Sequence, residues 1–174
     1  MNGHPGGEFH TRQLLERSGL TPPAKLLDMG AGLGESVKLL YALGFDAHGI
    51  DLNPSSTFED VLVTQGDFLN PPFEGSSFHG ILSQCAFYVS GHPQKAFASA
   101  YQLLKPGGIL MLSDVCPRDT NLKSQAEQAG FTVLHAEDQT PAWKEYYIEA
   151  IWRGTAQCFP CNQKMNYEMI ICKK

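Results

Sequence analysis

The chain has 174 residues, 43% of them hydrophobic, which predicts one domain with an apolar core. Its formal net charge of −5 argues against nucleic acid as a partner. No apolar stretch reaches the roughly 18–20 residues of a membrane span, and the first residues, MNGHPGGEFHTR, lack the apolar segment of a secretory signal. Five widely spaced cysteines in such a chain predict reduced thiols in a cytoplasmic protein that does not associate with membranes.

Short apolar segments alternate with helical ones along the chain. Strands are predicted at 24–28, 46–51, 61–64, 79–85, 109–113, 131–137 and 167–173, and helices at 8–18, 34–43, 93–104 and 121–129. This alternation predicts a doubly wound α/β fold with a mostly parallel sheet. Residues 1–20 would form a helical lid, 24–137 the nucleotide-binding core, and 138–174 an aromatic helix, a loop and the last strand.

Three glycines, Gly30, Gly32 and Gly34, follow the first predicted strand in LLDMGAGLGES, residues 26–36. In doubly wound sheets, ligands bind beyond the carboxyl ends of the strands, next to the first one. A turn without Cβ atoms lets its backbone touch such a ligand. The alternative is a tight turn that contacts no ligand.

Carboxylates follow or end three successive predicted strands. Asp28 precedes the glycines, Asp51 ends the second strand and can accept from both hydroxyls of a ribose, and Asp67 lies in QGDF. There Asp67 could accept from an adenine amino group while Phe68 contacts the base. Three acids with no lysine or arginine at the loop do not suit phosphate, but they suit S-adenosylmethionine. The glycine spacing also departs from G-x-G-x-x-G, which argues against a nicotinamide-dependent oxidoreductase.

Four segments occur in the order found in one family: LLDMGAGLG, GIDLN, QGDF and LLKPGGILMLSD. On these segments the chain resembles the class I S-adenosylmethionine-dependent methyltransferases over nearly its whole length. The resemblance implies a seven-stranded sheet with an antiparallel last strand. It also implies cofactor-binding positions at Asp28, Gly30, Ala31, Gly32, Asp51, Leu52, Asn53, Asp67, Phe68, Ser83 and Gln84. The fourth strand opens with Phe78-His79, where the family often has Phe-Asp.

By the same resemblance, Gly30 and Gly32 would contact the methionine part of the cofactor. Asp28 would act on its amino group, partly through water. Ser83, Gln84 and Cys85 would face the methyl group at the end of the fourth strand.

Methyl transfer needs an in-line approach and a dry pocket rather than a fixed set of catalytic residues. We expect a small-molecule acceptor, and the candidates to contact it are Cys85, Tyr88 and His10. Tyr88 could orient the acceptor or pack in the core, and His10 could line the pocket or lie on an exposed helix face. The sequence identifies neither the acceptor nor an oligomeric state.

Other side chains are weaker candidates for the acceptor pocket. Trp143, Tyr146, Tyr147 and Trp152 could form its wall, or they could belong to the core or rim. Asp114 could touch the acceptor or cap the segment that follows it.

The segment ILSQCAFYVSGHPQKAFASAYQLLKPGGILMLSDV is similar to arsenite methyltransferases, in which a cysteine at this place binds trivalent arsenic. Cys85 has the matching position, and Cys158 and Cys161 could supply further ligands. That pair could equally be two reduced thiols or a redox pair, and one pair cannot complete a tetrahedral zinc site, so no metal is predicted. A third hypothesis is a non-catalytic module that only binds S-adenosylmethionine.

Overall fold

The structure is a computed structural model that describes residues 5–54, 62–154 and 164–174. Within these ranges the strands are β1 (Lys25–Met29), β2 (Asp46–Asp51), β3 (Val63–Gln65), β4 (Phe78–Gln84), β5 (Leu104–Pro117), β6 (Thr132–Asp138) and β7 (Met165–Lys173). The helices are α1 (Gly7–Ser18), α2 (Glu35–Ala42), α3 (Pro93–Leu103), α4 (Leu122–Gln128) and α5 (Thr140–Trp152).

The strands form one seven-stranded sheet in the order β3-β2-β1-β4-β5-β7-β6. The first five are parallel, and β7 runs antiparallel to both of its neighbours, β5 and β6. This confirms the predicted doubly wound α/β fold with an antiparallel last strand. Since β1 lies between β2 and β4, the carboxyl ends of these three strands meet at one edge of the sheet.

Apolar side chains fill both faces of the sheet. On β1, Leu26 belongs to one apolar layer, and its neighbour Leu27 belongs to the other, as the alternation of a strand requires. Leu14 of α1 and Leu40 of α2 pack in the first layer, and Phe97 of α3 packs in the second. Both faces of β1 are therefore covered, which holds its carboxyl end in place.

The largest difference from the sequence prediction is β5, which is fourteen residues long. The predicted strand 109–113 is only its centre. Leu104 already pairs with Phe78, and the residues of KPGG bulge before pairing resumes between Gly80 and Ile109. At the other end β5 continues because it pairs with β7 as far as Met165.

Smaller differences are shifts at the ends of the elements. The predicted strand 61–64 is observed as Val63–Gln65, and Cys85 lies just beyond β4. His4, Cys158 and Cys161 lie outside the described residues. In the part of the chain that the structure describes, none of the helices is long and apolar enough to cross a membrane.

Candidate functional site

The turn after β1 needs glycine at Gly30 for packing and leaves open space at Gly32. The Gly30 and Ala31 amides both donate to the Ile50 carbonyl, at 2.9 and 3.1 Å. Gly30 has φ +86°, and a Cβ there would lie 2.4 Å from the Ala86 Cβ. Gly32 has φ +51°, and a Cβ there would meet no atom within 4 Å. The backbone at Gly32 is therefore bare on its open side.

A cavity of about 240 Å³ opens beside this turn. It brings together five of the predicted cofactor-binding residues and one catalytic candidate, namely Asp28, Gly30, Ala31, Gly32, Gln84 and Cys85. Leu33, Glu35 and Ser36 also line it, and the sequence analysis missed them. They precede or form the first turn of α2, which begins after the left-handed Gly34. Ligands commonly bind at a helix N-terminus, and that rule could have identified them.

Asp28 is a buried carboxyl group at the wall of this cavity. Its side chain is 4% exposed, and burial raises its pKa from 3.8 to about 7, with a further contribution from the negative charge of Asp51. No hydrogen bond offsets this effect in the part of the chain that the structure describes. A positive group entering the cavity would therefore stabilise the ionised carboxylate.

Asp51 is held in a fixed orientation at the end of β2. Its Oδ2 atom accepts from the Gly32 amide and its Oδ1 atom from the Asn53 amide, both at 2.9 Å. Leu52 and Asn53 are exposed beside it. These three residues lie on the rim, outside the wall of the 240 Å³ cavity.

Asp67 and Phe68 lie in the turn that follows β3. The Asp67 Oδ1 atom accepts from the Leu69 amide at 2.8 Å, while the Phe68 ring is buried and stacks on Phe87 with centroids 6.0 Å apart. The Phe68 ring therefore packs in the core, and the carboxylate of Asp67 is the more accessible group of the two.

Ser83 is fully buried, and its hydroxyl donates to the Met29 carbonyl of β1 at 2.7 Å. The structure does not bring Ser83 into the cavity. Its neighbour Gln84 does line the cavity, and the Gln84 Oε1 atom accepts from Thr11 of α1 at 3.0 Å and from Ser36 of α2 at 3.4 Å.

Cys85 follows β4 with an unusual backbone conformation, φ +59°. Its amide donates to the Ser113 carbonyl at 2.9 Å, and its Sγ atom lies 3.7 Å from the Tyr167 hydroxyl. Burial raises the pKa of the thiol to about 12, with a smaller contribution from the charge of Asp114. Cys85 is therefore a neutral thiol at physiological pH.

Tyr167 of β7, which the sequence analysis did not identify, connects Cys85 to an aromatic region. It is buried, and its hydroxyl donates to the Ser113 Oγ atom at 3.1 Å. Its ring is parallel to Trp143 of α5, with centroids 6.1 Å apart, and lies 6.1 Å from the His10 ring of α1. Tyr167 was missed because contacts between β7, α5 and α1 join residues that are far apart in sequence.

The rings of α5 extend this region. Tyr147 lies 5.3 Å from Trp143 and 5.5 Å from Tyr146, measured between ring centroids, and all three are half-buried. We call the set of five rings the aromatic cluster: His10, Trp143, Tyr146, Tyr147 and Tyr167. Trp152 is 86% exposed and does not belong to it. Three of the four aromatic residues that were predicted as a possible pocket wall therefore belong to the aromatic cluster.

Helix α1 packs on β5 and β7, and its Thr11 donates to Gln84 of β4. His10 is 5% exposed, so the hypothesis of an exposed helix face is wrong for this residue, while Phe9 is 70% exposed. At the other end of α1, Arg17 forms an ion pair with Glu137 of β6. Both ends of the helix are therefore tied to the sheet, through Thr11 and through Arg17.

Asp114 and Tyr88 are structural neighbours outside the cavity. The buried Asp114 carboxylate accepts from the Tyr88 amide at 3.0 Å and from the Val115 amide at 2.7 Å. Asp114 lies within β5 and caps the loop after β4, whereas the sequence analysis expected it to touch the acceptor or to cap the segment that follows it. The Tyr88 side chain lines a different cavity of about 180 Å³.

The sheet order and the glycine turn after β1 are those of a Rossmann-like fold of the methyltransferase type. The family described as a methyltransferase domain matches residues 27–112. The phosphoethanolamine N-methyltransferase of Plasmodium falciparum is 27% identical over 150 residues, which cover 76% of this chain and 56% of that protein. The arsenite methyltransferase of Halobacterium salinarum is 27% identical over 110 residues, covering 55% of this chain and 28% of that protein.

Among solved structures, phosphoethanolamine N-methyltransferase 2 of Haemonchus contortus in complex with S-adenosyl-L-methionine superposes with a TM-score of 0.80. The match is 20% identical and covers 98% of this chain and 53% of that one. This chain thus spans little more than half of the length of these two phosphoethanolamine methyltransferases. The fold is therefore that of the class I S-adenosylmethionine-dependent methyltransferases, and the chain is similar to members of that family.

Proposed function

We propose that this chain transfers a methyl group from S-adenosylmethionine to a small-molecule acceptor. The observation that carries the proposal is the cavity in which the buried Asp28 carboxyl group faces the bare backbone of Gly32. The cavity offers a negative charge and open peptide groups, but neither lysine nor arginine lines it in the described part of the chain. These features fit a cationic amino-acid end and do not fit a pyrophosphate.

Within this cavity, Asp28 would hold the ammonium group of the cofactor. The first turn of α2, with Ser36, would hold its carboxylate, because the free amides of a helix N-terminus attract anions. The volume of about 240 Å³ lies below the ~300–1,000 Å³ typical of small-molecule sites. The cavity therefore fits the methionine part, and the adenosine would lie over the rim.

On the rim, Asp51 would accept from the ribose hydroxyls, since the Gly32 and Asn53 amides already orient its carboxylate. Asp67 would accept from the adenine amino group, with Ala31, Leu52, Asn53 and the backbone of Phe68 around the base. Ser83 would act indirectly, by holding β4 against β1.

When bound, the cofactor supplies a methyl group. The electron pair of the broken C–S bond stays on the sulfur, so S-adenosylhomocysteine is the product. The chain's contribution is to orient the acceptor and exclude water. Gln84 and Cys85 line the cavity at the end of β4, and the neutral Cys85 thiol contacts Tyr167. The aromatic cluster would therefore form the acceptor side of the site, under α1.

Isothermal titration calorimetry tests the cofactor part of this proposal. S-adenosylmethionine and S-adenosylhomocysteine should bind at micromolar concentrations, roughly −7 to −8 kcal/mol, and nicotinamide dinucleotides should not compete. Incubation with cofactor labelled in the methyl group and a cell extract should then label a small molecule. Absence of cofactor binding would refute the proposal, and binding without any labelled product would favour the non-catalytic module.

Arsenite methylation is the second candidate, and it is favoured by the position of Cys85 at the cavity and by the similarity to an arsenite methyltransferase. The other described cysteines, Cys116 and Cys172, are buried. If the hypothesis holds, trivalent arsenic binds to the full chain, Cys85→Ala abolishes binding, and Cys116→Ala leaves it intact. Arsenic binding that survives in Cys85→Ala would reject this hypothesis without affecting the first proposal.

A further inference from the structure

We propose that the methyl acceptor carries no phosphate and no net negative charge, and that the aromatic cluster binds it as a neutral or cationic molecule. This inference rests on the proposed function and names the chemical class of its substrate. It separates this chain from the phosphoethanolamine methyltransferases to which it is similar, because their names imply a phosphorylated acceptor.

The aromatic cluster borders the cofactor cavity at Cys85. The thiol lines the cavity and lies 3.7 Å from the Tyr167 hydroxyl, whose ring packs beside Trp143 and His10. Burial raises the pKa of a third ring, Tyr146, and Cys85 is near enough to add to that rise. A molecule placed against Cys85 and opposite the cofactor would therefore approach the half-buried rings of α5, whereas the His10 and Tyr167 rings are buried.

All lysines and arginines of the chain lie within the described residues. The sequence has 13 of them, and the segments that the structure leaves undescribed, 1–4, 55–61 and 155–163, contain none. No lysine or arginine lines the cavity, and among the described residues none forms a hydrogen bond or ion pair with Trp143, Tyr146 or Tyr167 of the aromatic cluster.

Several cations lie close in sequence to the cluster. Arg12, two residues after His10, pairs with Glu8, and Arg17 pairs with Glu137 and lowers the pKa of that carboxyl group. Lys144, next to Trp143 on α5, and Lys164, just before β7, are exposed. The two arginines of α1 are therefore engaged with carboxylates rather than with the cluster.

The charges that surround the site are negative. Asp28 and Glu35 line the cavity, Asp51 lies on its rim, and Asp114 is buried beneath the loop that follows Cys85. A phosphate at the cluster would lose its hydration without gaining a cationic partner, which is strongly unfavourable. Aromatic faces instead favour apolar planar groups and cations. A cation is attracted to the ring quadrupole, and the negative surroundings would strengthen its binding.

An acceptor need not be identified in advance to test this inference. The full chain and methyl-labelled cofactor are added to two portions of one cell extract, one of which has been treated with immobilised phosphatase that is then removed. We expect equal labelling in both portions and a labelled product that an anion exchanger does not retain at neutral pH. Cation exchange then distinguishes an amine from a neutral acceptor.

Labelling that disappears after phosphatase treatment, or a product retained by the anion exchanger, would overturn the inference. An extract that yields no labelled product although S-adenosylhomocysteine binds would count against methyl transfer itself, and against this inference with it. The two failures are distinguishable because only the first leaves a labelled product in the untreated portion.

Two tryptophans of α5 provide matched variants. Trp143→Ala removes a ring of the cluster, whereas Trp152→Ala removes a ring that is 86% exposed on the same helix. We expect Trp143→Ala to reduce the labelling rate at least tenfold while S-adenosylhomocysteine affinity stays within twofold, and Trp143→Phe to recover part of the rate. Trp152→Ala should match the parent protein. Equal rates in all variants would show that the acceptor does not bind at the cluster.

Discussion

Replacement of Asp28 by asparagine should separate folding stability from cofactor binding. A carboxyl group whose pKa rises from 3.8 to about 7 on folding is harder to ionise in the folded state, by about 4 kcal/mol. The folded protein then binds more protons than the unfolded chain between about pH 4 and pH 7. The contribution of Asp28 to stability therefore decreases as the pH rises through this window, and it is constant above it.

Asp28→Asn keeps the size of the side chain and removes the ionisation. At pH 8 the variant should be more stable than the parent protein by up to about 4 kcal/mol, and near pH 4 the two should be similar. Urea denaturation at both pH values measures this difference. S-adenosylhomocysteine should nevertheless bind the variant much more weakly, since the ammonium group loses its carboxylate.

Calorimetry adds a second readout on the same residue. At pH 6 roughly nine-tenths of the free protein should carry a proton on Asp28, and an ammonium group in the cavity should displace it. Binding heats measured in buffers of different ionisation enthalpy should therefore show proton release from the parent protein and none from Asp28→Asn. Parallel stability curves together with equal proton release would refute the assignment of Asp28.

Three further substitutions test other parts of the site. Asp51→Ala should weaken S-adenosylhomocysteine binding roughly 10- to 150-fold, the equivalent of about 1.5–3 kcal/mol for a charged hydrogen bond. Asp46→Ala, at the exposed start of the same strand, should leave the affinity unchanged, and equal losses would contradict the placement of the ribose. Gly30→Ala should destabilise the fold by at least about 2 kcal/mol in urea denaturation, because of its left-handed backbone and the clash with Ala86. Tyr167→Phe should cost about 1–3 kcal/mol of unfolding free energy with unchanged cofactor affinity, and no loss would show that its hydroxyl is not a structural link.

The glycine turn and the acids around the cavity could be predicted from sequence because their determinants are local. Gly30, Gly32 and Asp51 lie at the ends of neighbouring strands, and the strand pattern alone brings such ends together. The first turn of α2 is adjacent in sequence to the glycines and could have been included by the same reasoning. Only the direction of individual side chains could not be predicted, such as that of Ser83, whose hydroxyl donates to the Met29 carbonyl.

The place of Tyr167 in the aromatic cluster could not be predicted in the same way. Tyr167 reaches Cys85 and Ser113 because β7 inserts antiparallel beside β5. The Tyr167 amide also donates to the Thr140 hydroxyl at 2.9 Å, and this hydrogen bond fixes the start of α5. No periodicity in the sequence encodes this register. The length of β5 was underestimated for a related reason, since its final residues form a strand only through pairing with β7.

The position of β7 has a consequence for how the polypeptide can be shortened. In the sheet, β6 is joined to the other strands through β7 alone, so a deletion that begins before Met165 would detach β6 as well. The long apolar edge of β5 would then be open to pairing with other molecules, which is a common route to aggregation. Expression of shortened forms should therefore preserve this strand even when only the half of the molecule around Gly30 is of interest.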